Sequence, residues 1–355
     1  MSKNKLKTAI LGLNEKGRLL LEAASQVELL QIEAVADSQT KLAQDTAEQY
    51  KCTAYDDYRQ VVVQKPFDCL LVADELHCWE PWLKTAIKNK CNILKVSPAA
   101  RNFGEAAELV RLAEQQGVKF GVVNAMRFSE SCLSLRRFCK EPGIGRVFLI
   151  SVFCAAGVGV LPSWQTDPKL AGGGVLLYEG YELIDQILWN FGMPQQVYCV
   201  STSKAIDRKQ RLLATEDTAV ITMKFDDAQV GNITVSRIAL PDQQGFSMNI
   251  YGSARNLMVG KNTFVVNNST GQTEQMLHYD DDEVRRTASV IENFALSIVS
   301  PDNNKLCSSA AENLSNMAVI ESAYLSARTG FPEEPAKIMQ MTRIEPTDAG
   351  LQQVH

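Results

Sequence analysis

The stretch LKTAILGLNEKGRLLLEAASQVELLQIEAVAD, Leu6 to Asp37, decides the fold. An apolar run from Leu6 to Gly12 ends in a tight turn, helical periodicity follows through Arg18, Leu19, Leu21 and Glu22, and a second apolar run covers Ile32 to Ala36. Strand, turn, helix and strand in that order form a βαβ unit, the building block of a parallel sheet. The turn Gly12-Leu13-Asn14-Glu15-Lys16-Gly17 matches a GxGxxG fingerprint at its first and third glycines, and Asp37 ends the second strand, where an acid holds a ribose 2'-hydroxyl. Gly12, Asn14, Lys16, Gly17 and Asp37 are therefore candidate cofactor contacts, with NAD favoured over NADP because Asp37 repels a 2'-phosphate. Asn14 stands where a bare backbone approaches the pyrophosphate, and Glu15 adds negative charge there that Lys16 partly offsets.

The alternation continues with a helix near Thr40 to Tyr50, a strand Asp68 to Ala73, a helix Trp79 to Lys90, a strand Asn92 to Val96, a helix Phe103 to Gln116 and a strand Lys119 to Val123. Residues 1–125 read as a Rossmann-type, doubly wound parallel sheet. Ligands in such sheets lie beyond the carboxyl ends of the strands, which adds Asp74, Glu75, His77, Lys95, Ser97 and Asn124 to the residues of interest. Asp74 or Glu75 either caps the next helix or faces the cofactor, and His77 is either a hydrogen-bonded structural group or a contact.

After Asn124 the rhythm changes. The second region, 126–331, is organised around AGGGVLLYEGYELID, Ala171 to Asp185, where three glycines precede an apolar helix. Tyr178, Glu182 and Asp185 fall at i, i+4 and i+7, one stripe of a continuous helix, which forms either a wall of a ligand site or a helix packed on a sheet. Strands near Val197 to Ser201, Thr218 to Phe225, Val230 to Ile238, Ser247 to Tyr251 and Leu257 to Val259 predict an open, mainly antiparallel sheet, giving a C-terminal α/β domain. Helices Glu283 to Val299 and Ser308 to Thr329 close it. The tail, 332–355, is polar and expected to be loose, with Ile338 to Met341 available for packing.

Composition narrows the partners. With 355 residues, 45% hydrophobic and 22% charged, the chain is long enough for two domains, and a net charge of −5 without a basic cluster argues against nucleic acid. The most apolar stretch, Val147 to Leu161, is interrupted by Ser151 and two glycines and is too short to cross a bilayer, so no membrane association is expected. The first residues lack the pattern of a secretory signal. Nine scattered cysteines without a CxxC spacing fit reduced thiols in a cytoplasm and offer no metal site.

Several segments together carry a family resemblance: DSQTKLAQDTAEQYKCTAYDDYRQVV, AMRFSE, GRVFLISV, WQTDPKLAGGGVLLYEGYELID, Glu216-Asp217, NIYGSARNLMV and SAAENLSNMAVIESAYLSARTG. From about Lys5 to Phe331 the chain resembles the glucose-fructose oxidoreductase and inositol dehydrogenase family, Gfo/Idh/MocA. The resemblance implies an NAD- or NADP-binding Rossmann domain, a second domain holding a sugar-like or polyol ligand, and homo-oligomers built through the open sheet. It also locates departures. The family's Glu-Lys-Pro aligns with Val96-Ser97-Pro98, so Ser97 replaces its lysine. Tyr178 and Glu182 replace its aspartate and histidine, and Asp185 alone is retained. Asp74-Glu75 replaces its usual Thr-Pro.

Substitutes for the lost groups are available. Lys95 lies two residues before Ser97 on the same strand face, about 6–7 Å back, within reach of a lysine stem. Glu182 is a candidate base and Tyr178 a candidate proton donor, or both complete a hydrogen-bonded wall. Arg127, matching a family arginine, either grips a ligand or joins the domains by an ion pair, and Trp164 is expected to border the same cleft with Asp185. Three functions follow from the residues: a relative that binds a ligand for sensing or assembly with its polyol dehydrogenase chemistry lost or altered, an active NAD(P)-dependent dehydrogenase using Glu182, Tyr178 and Lys95, or a redox-neutral enzyme of the same fold.

Overall fold

A computed structural model of the chain describes residues 5–64, 66–77, 80–157, 160–203, 214–239 and 244–341. Trp79, the expected start of a helix, positions 158–159 of the apolar stretch and the tail beyond Met341 lie outside the described residues. The first half alternates β1 (Leu6–Leu11), α1 (Glu15–Ser25), β2 (Leu30–Ala36), α2 (Thr40–Tyr50), β3 (Thr53–Tyr55), α3 (Tyr58–Gln64), β4 (Cys69–Val72), α4 (Glu80–Lys88), β5 (Asn92–Val96), α5 (Phe103–Gln116) and β6 (Phe120–Val123). All neighbours pair in parallel, in the order β3-β2-β1-β4-β5-β6. Helices cover both faces, so β4 and β1 from Ala9 onward are continuous apolar runs with Ala9, Ile10, Leu11, Leu70 and Leu71 fully buried.

A short 3₁₀ turn, Ala125–Phe128, leads into α6 (Glu130–Lys140), β7 (Val147–Gly157), α7 (Pro168–Ala171), α8 (Val175–Tyr178) and α9 (Tyr181–Phe191). Seven strands follow: β8 (Gln196–Thr202), β9 (Thr218–Lys224), β10 (Val230–Ala239), β11 (Gly245–Gly252), β12 (Arg255–Gly260), β13 (Thr263–Asn268) and β14 (Thr273–His278). They join β7 in an eight-stranded sheet ordered β14-β13-β12-β11-β7-β10-β9-β8. Only the β7–β10 pairing is parallel. The chain ends in α10 (Glu283–Val299), α11 (Ala310–Thr329) and α12 (Pro335–Gln340).

Three features depart from the sequence expectation. β3 has three residues, too few to show a period, and β14 is exposed along most of its length, so no alternation marks it. The helix α10 does not stay with the second sheet: Val290, Ile291, Phe294 and Ala295 enter the same apolar cluster as Ile10, Leu20 and Leu21. The glycine-led helix is broken. Gly180 donates its amide to Val175 O at 3.1 Å and closes α8 after one turn, so Tyr178 belongs to a different helix from Glu182 and Asp185.

The start of α1 sets the tightest packing. A Cβ on Gly17 would lie 1.9 Å from Gly12 O and 2.7 Å from Gly12 C, with backbone rather than a yielding side chain in the way. Gly17→Ala is therefore expected to lower the unfolding free energy by about 2–3 kcal/mol in urea titrations; a variant as stable as the parent would show that the helix does not rest on the turn in this way.

Candidate functional site

The phosphate-type turn is tied to three other strands. Gly12, at φ +87°, donates to Ala36 O at the end of β2, and Leu13 N donates to Asp37 Oδ2 at 2.7 Å. The second Asp37 oxygen accepts from Gln39 N. Asn14 caps α1 by accepting from Gly17 N at 3.0 Å and turns its amide to Ala73 O beyond β4. Its side chain thus lies down against the strand instead of standing over the turn. Gly17 N and Arg18 N are taken by Asn14, which leaves the amides of Glu15 and Lys16 as the helix-start donors without intrahelical acceptors. Open amides, a positive helix end, the Lys16 ammonium and the Asp37 carboxylate are the groups a dinucleotide requires, so the residues fit that cofactor.

A second constellation forms where β5 ends. Ser97 donates its hydroxyl to Glu182 Oε1 at 3.3 Å, and Glu182 Oε2 accepts the Met126 amide at 3.0 Å. The three segments come from β5, α9 and the 3₁₀ turn after β6. Lys16 Nζ lies 3.2 Å from Ser97 O. Although Glu182 keeps some solvent exposure, loss of hydration raises its carboxyl pKa, and the Met126 amide, the Lys16 charge and the Ser97 hydroxyl only partly oppose this. Lys95 does not reach the cleft. Fully buried, it folds its ammonium onto Pro98 O at 2.9 Å and Val96 O at 3.2 Å. Burial, reinforced by the nearby Lys16 charge, pushes its pKa down to about 7.

The remaining expected residues separate into two groups. Tyr178 donates its hydroxyl to Ala171 O at 2.8 Å, and burial, with Glu216 adding to it, moves its pKa well up. That shift runs opposite to the lowering that would make Tyr178 a readier proton donor. Its ring meets Trp164 edge-on at 5.9 Å, and Trp164 meets His77 at 5.8 Å, so these aromatics bridge the β4 end and α8. Arg127 grips Asp185 with both Nε and Nη2 at 2.8 Å and reaches Glu312 at 2.8 Å. Burial alone would depress the guanidinium pKa, but those carboxylates raise it above normal. Asn316 donates to Asp185, and Asn313 accepts from Asn124 and Tyr181, extending a buried network between β6, α9 and α11. Arg127 and Asp185 thus form a buried ion pair between the turn after β6 and α9.

Sequence reasoning passed over several groups. A cleft of about 510 Å³ that shares Met126 with the Glu182 contact is bounded by Glu15, Met126, Cys154, Glu179, Leu183 and Gln244. Glu179 and Gln244 carry no motif that marks them. Glu216, part of a recognised pair, accepts from Gly174 N, Leu176 N and Tyr324 OH and so fixes the start of α8.

Two family patterns match the chain: "Oxidoreductase family, NAD-binding Rossmann fold" over residues 6–124 and "Oxidoreductase family, C-terminal alpha/beta domain" over residues 140–334. In sequence the chain is similar to the uncharacterized oxidoreductase YrbE of Bacillus subtilis, 20% identical over 241 residues, 66% of this chain and 67% of that one. It is also similar to D-glucoside 3-dehydrogenase of Escherichia coli, 24% identical over 168 residues, 46% of this chain and about half, 48%, of that protein's length. In fold it matches levoglucosan dehydrogenase, solved with NADH and levoglucosan, at TM-score 0.84 and 14% identity over 93% of this chain and 99% of that one. An oxidoreductase from Agrobacterium radiobacter, solved with NAD+, L-tartaric acid and magnesium, matches at TM-score 0.80 and 17% identity over 94% and 99% of the two chains. Both patterns fall on the sheets described above and between them span most of the sequence: the protein belongs to the Gfo/Idh/MocA oxidoreductase family, and its six-stranded half is that family's NAD-binding Rossmann fold.

Proposed function

We propose that this protein is an NAD-dependent oxidoreductase of a sugar-like or polyol small molecule in which Glu182, not a lysine or histidine, handles the substrate proton. The observation that carries the reading is the Ser97–Glu182 contact at the end of β5, held by the amide of Met126, a residue that also borders a cleft of about 510 Å³. When bound, the nicotinamide supplies the hydride-accepting ring. Glu182 takes the alcohol proton, a role suited to a carboxyl whose pKa is raised toward the working range. Ser97 orients it by donating to Oε1. The polar walls suit hydroxyl groups, and the fold match to an enzyme solved with levoglucosan supports a sugar-like ligand. Tyr178 and Lys95 serve as framework, since their polar ends are engaged by backbone carbonyls.

A screen of sugars and cyclitols with NAD+, followed by reduced-nicotinamide absorbance, tests this. Turnover should rise with pH as Glu182 ionises and fall by about 10²–10⁴-fold in Glu182→Gln with NAD+ affinity retained. Retained NAD+ and ligand binding with no turnover of any compound would replace it with the ligand-binding reading, which the engaged Tyr178 and Lys95 side chains favour.

Asp74 and His77 line the crevice beyond β4 in this reading. Asp74 Oδ1 accepts from Tyr58, while Oδ2 is buried without a partner among the described residues, and burial raises the pKa to about 6. The folded state therefore holds the proton more tightly than the unfolded chain, and stability falls as pH rises from about 4 through about 6. Asp74→Asn keeps the acceptor for Tyr58 and removes that loss. It is expected to stabilise the protein by about 1–3 kcal/mol at pH 7.5 and by little at pH 4 in chemical denaturation; equal effects at both pH values would contradict the assignment.

The outer face of the eight-stranded sheet exposes Phe153, Tyr198, Val200, Val220 and Met258, an apolar surface suited to a second copy of the chain. Light scattering should give about twice the 39.2 kDa chain mass, and Val200→Glu with Val220→Glu should return it to a monomer. A monomeric parent protein would remove this assembly from the account.

A further inference from the structure

Building on the assignment of Glu182 as the proton-handling group, we propose that Lys16 is the cation of this site: a positioning residue, delivered from the phosphate turn, whose ammonium holds the Ser97 turn and favours the charged form of the Glu182 carboxyl that Ser97 contacts. Lys16 lies in the first turn of α1, and its stem crosses from the β1 end to the β5 end, where Nζ meets Ser97 O at 3.2 Å. The same residue's hydroxyl contacts Glu182 Oε1 at 3.3 Å, so one serine is held between the ammonium and the carboxylate. The carbonyl uses one of the three ammonium donors.

The other charged and titratable groups around Glu182 do not serve this role. On its own helix Asp185 is negative and already clamped by Arg127. Arg127, from the turn after β6, divides its donors between Asp185, Glu312 and Cys307 O. Cys132 of α6 has a thiol pushed up to about 12 by burial and stays neutral. Arg286 of α10 pairs with Asp281 at 2.8 Å. Lys95, beneath Ser97, is fully buried with its ammonium on Val96 O and Pro98 O. Lys16 is the cation whose field opposes the desolvation of Glu182, and the same field acts against a second charge on Lys95.

The test is a carbon NMR titration of the full chain labelled at glutamate Cδ, with the Glu182 signal assigned by its loss in Glu182→Gln. Lys16 is exposed, so its variants retain the fold. Lys16→Met should move the Glu182 midpoint upward, Lys16→Arg should restore it, and Arg18→Met, which removes the same charge further along α1, should leave it in place. An unmoved midpoint in Lys16→Met, or an equal shift in Arg18→Met, overturns the proposal. Since the titration needs neither cofactor nor turnover, a shifted midpoint in a protein that oxidises no polyol upholds the role of Lys16 while removing the catalytic reading of Glu182. A fixed midpoint in an active enzyme does the reverse.

Discussion

Gly12 can occupy φ +87° against the end of β4 only because it has no side chain: a Cβ there would lie 2.9 Å from Ala73 C, Ala73 O and Asp74 N. This close approach brings the turn after β1 into reach of every strand end that matters. Gly12 and Leu13 bond to the β2 end, Asn14 to Ala73, and Lys16 to Ser97 beyond β5. The open amides of α1, the Asp37 carboxylate and the Ser97 turn are consequently tied to one another by one backbone bond and three side-chain to backbone bonds. Moving the turn away from β4 would separate the cofactor cradle from the proton-handling residues.

The second half completes the site by presenting α9. Its position depends on two buried devices: Glu216, which collects the amides at the start of α8 together with Tyr324, and the Arg127–Asp185 pair with its asparagine network. Breaking either would leave buried charge unpaired, which is more costly than the pair is favourable. Glu182 is therefore set against Ser97 by groups that have no chemical task. Asp185 has a structural task of its own: its carboxylate is bound on both oxygens by Arg127.

Much of this was legible from the chain. The βαβ run from Leu6 to Asp37 specifies its own elements because apolar periodicity, the Asn14 cap and the glycines agree locally. Interest in Ser97 and Glu182 came from aligning segments of the family, since no local signal relates residues so far apart; their contact is visible only in the fold. The continuous stripe through Tyr178 was misread because helical spacing was extended across Glu179-Gly180, where a one-turn helix closes on Val175 O. Spacing puts Lys95 on the strand face of Ser97, yet its stem folds onto Pro98 and Val96 carbonyls, a choice set by burial and invisible in spacing. Short β3 and the exposed β14 lack the period by which strands are recognised.

The central claim is that the turn, despite Asn14 and Glu15, remains a working dinucleotide site read by Asp37. Calorimetric titration of the full chain with NAD+ and with NADP+ tests it most directly. The account predicts binding of NAD+ and an affinity for NADP+ lower by at least about tenfold, because the Asp37 carboxylate at the β2 end repels a 2'-phosphate. Tighter binding of NADP+, or no binding of either dinucleotide at millimolar concentration, would contradict it.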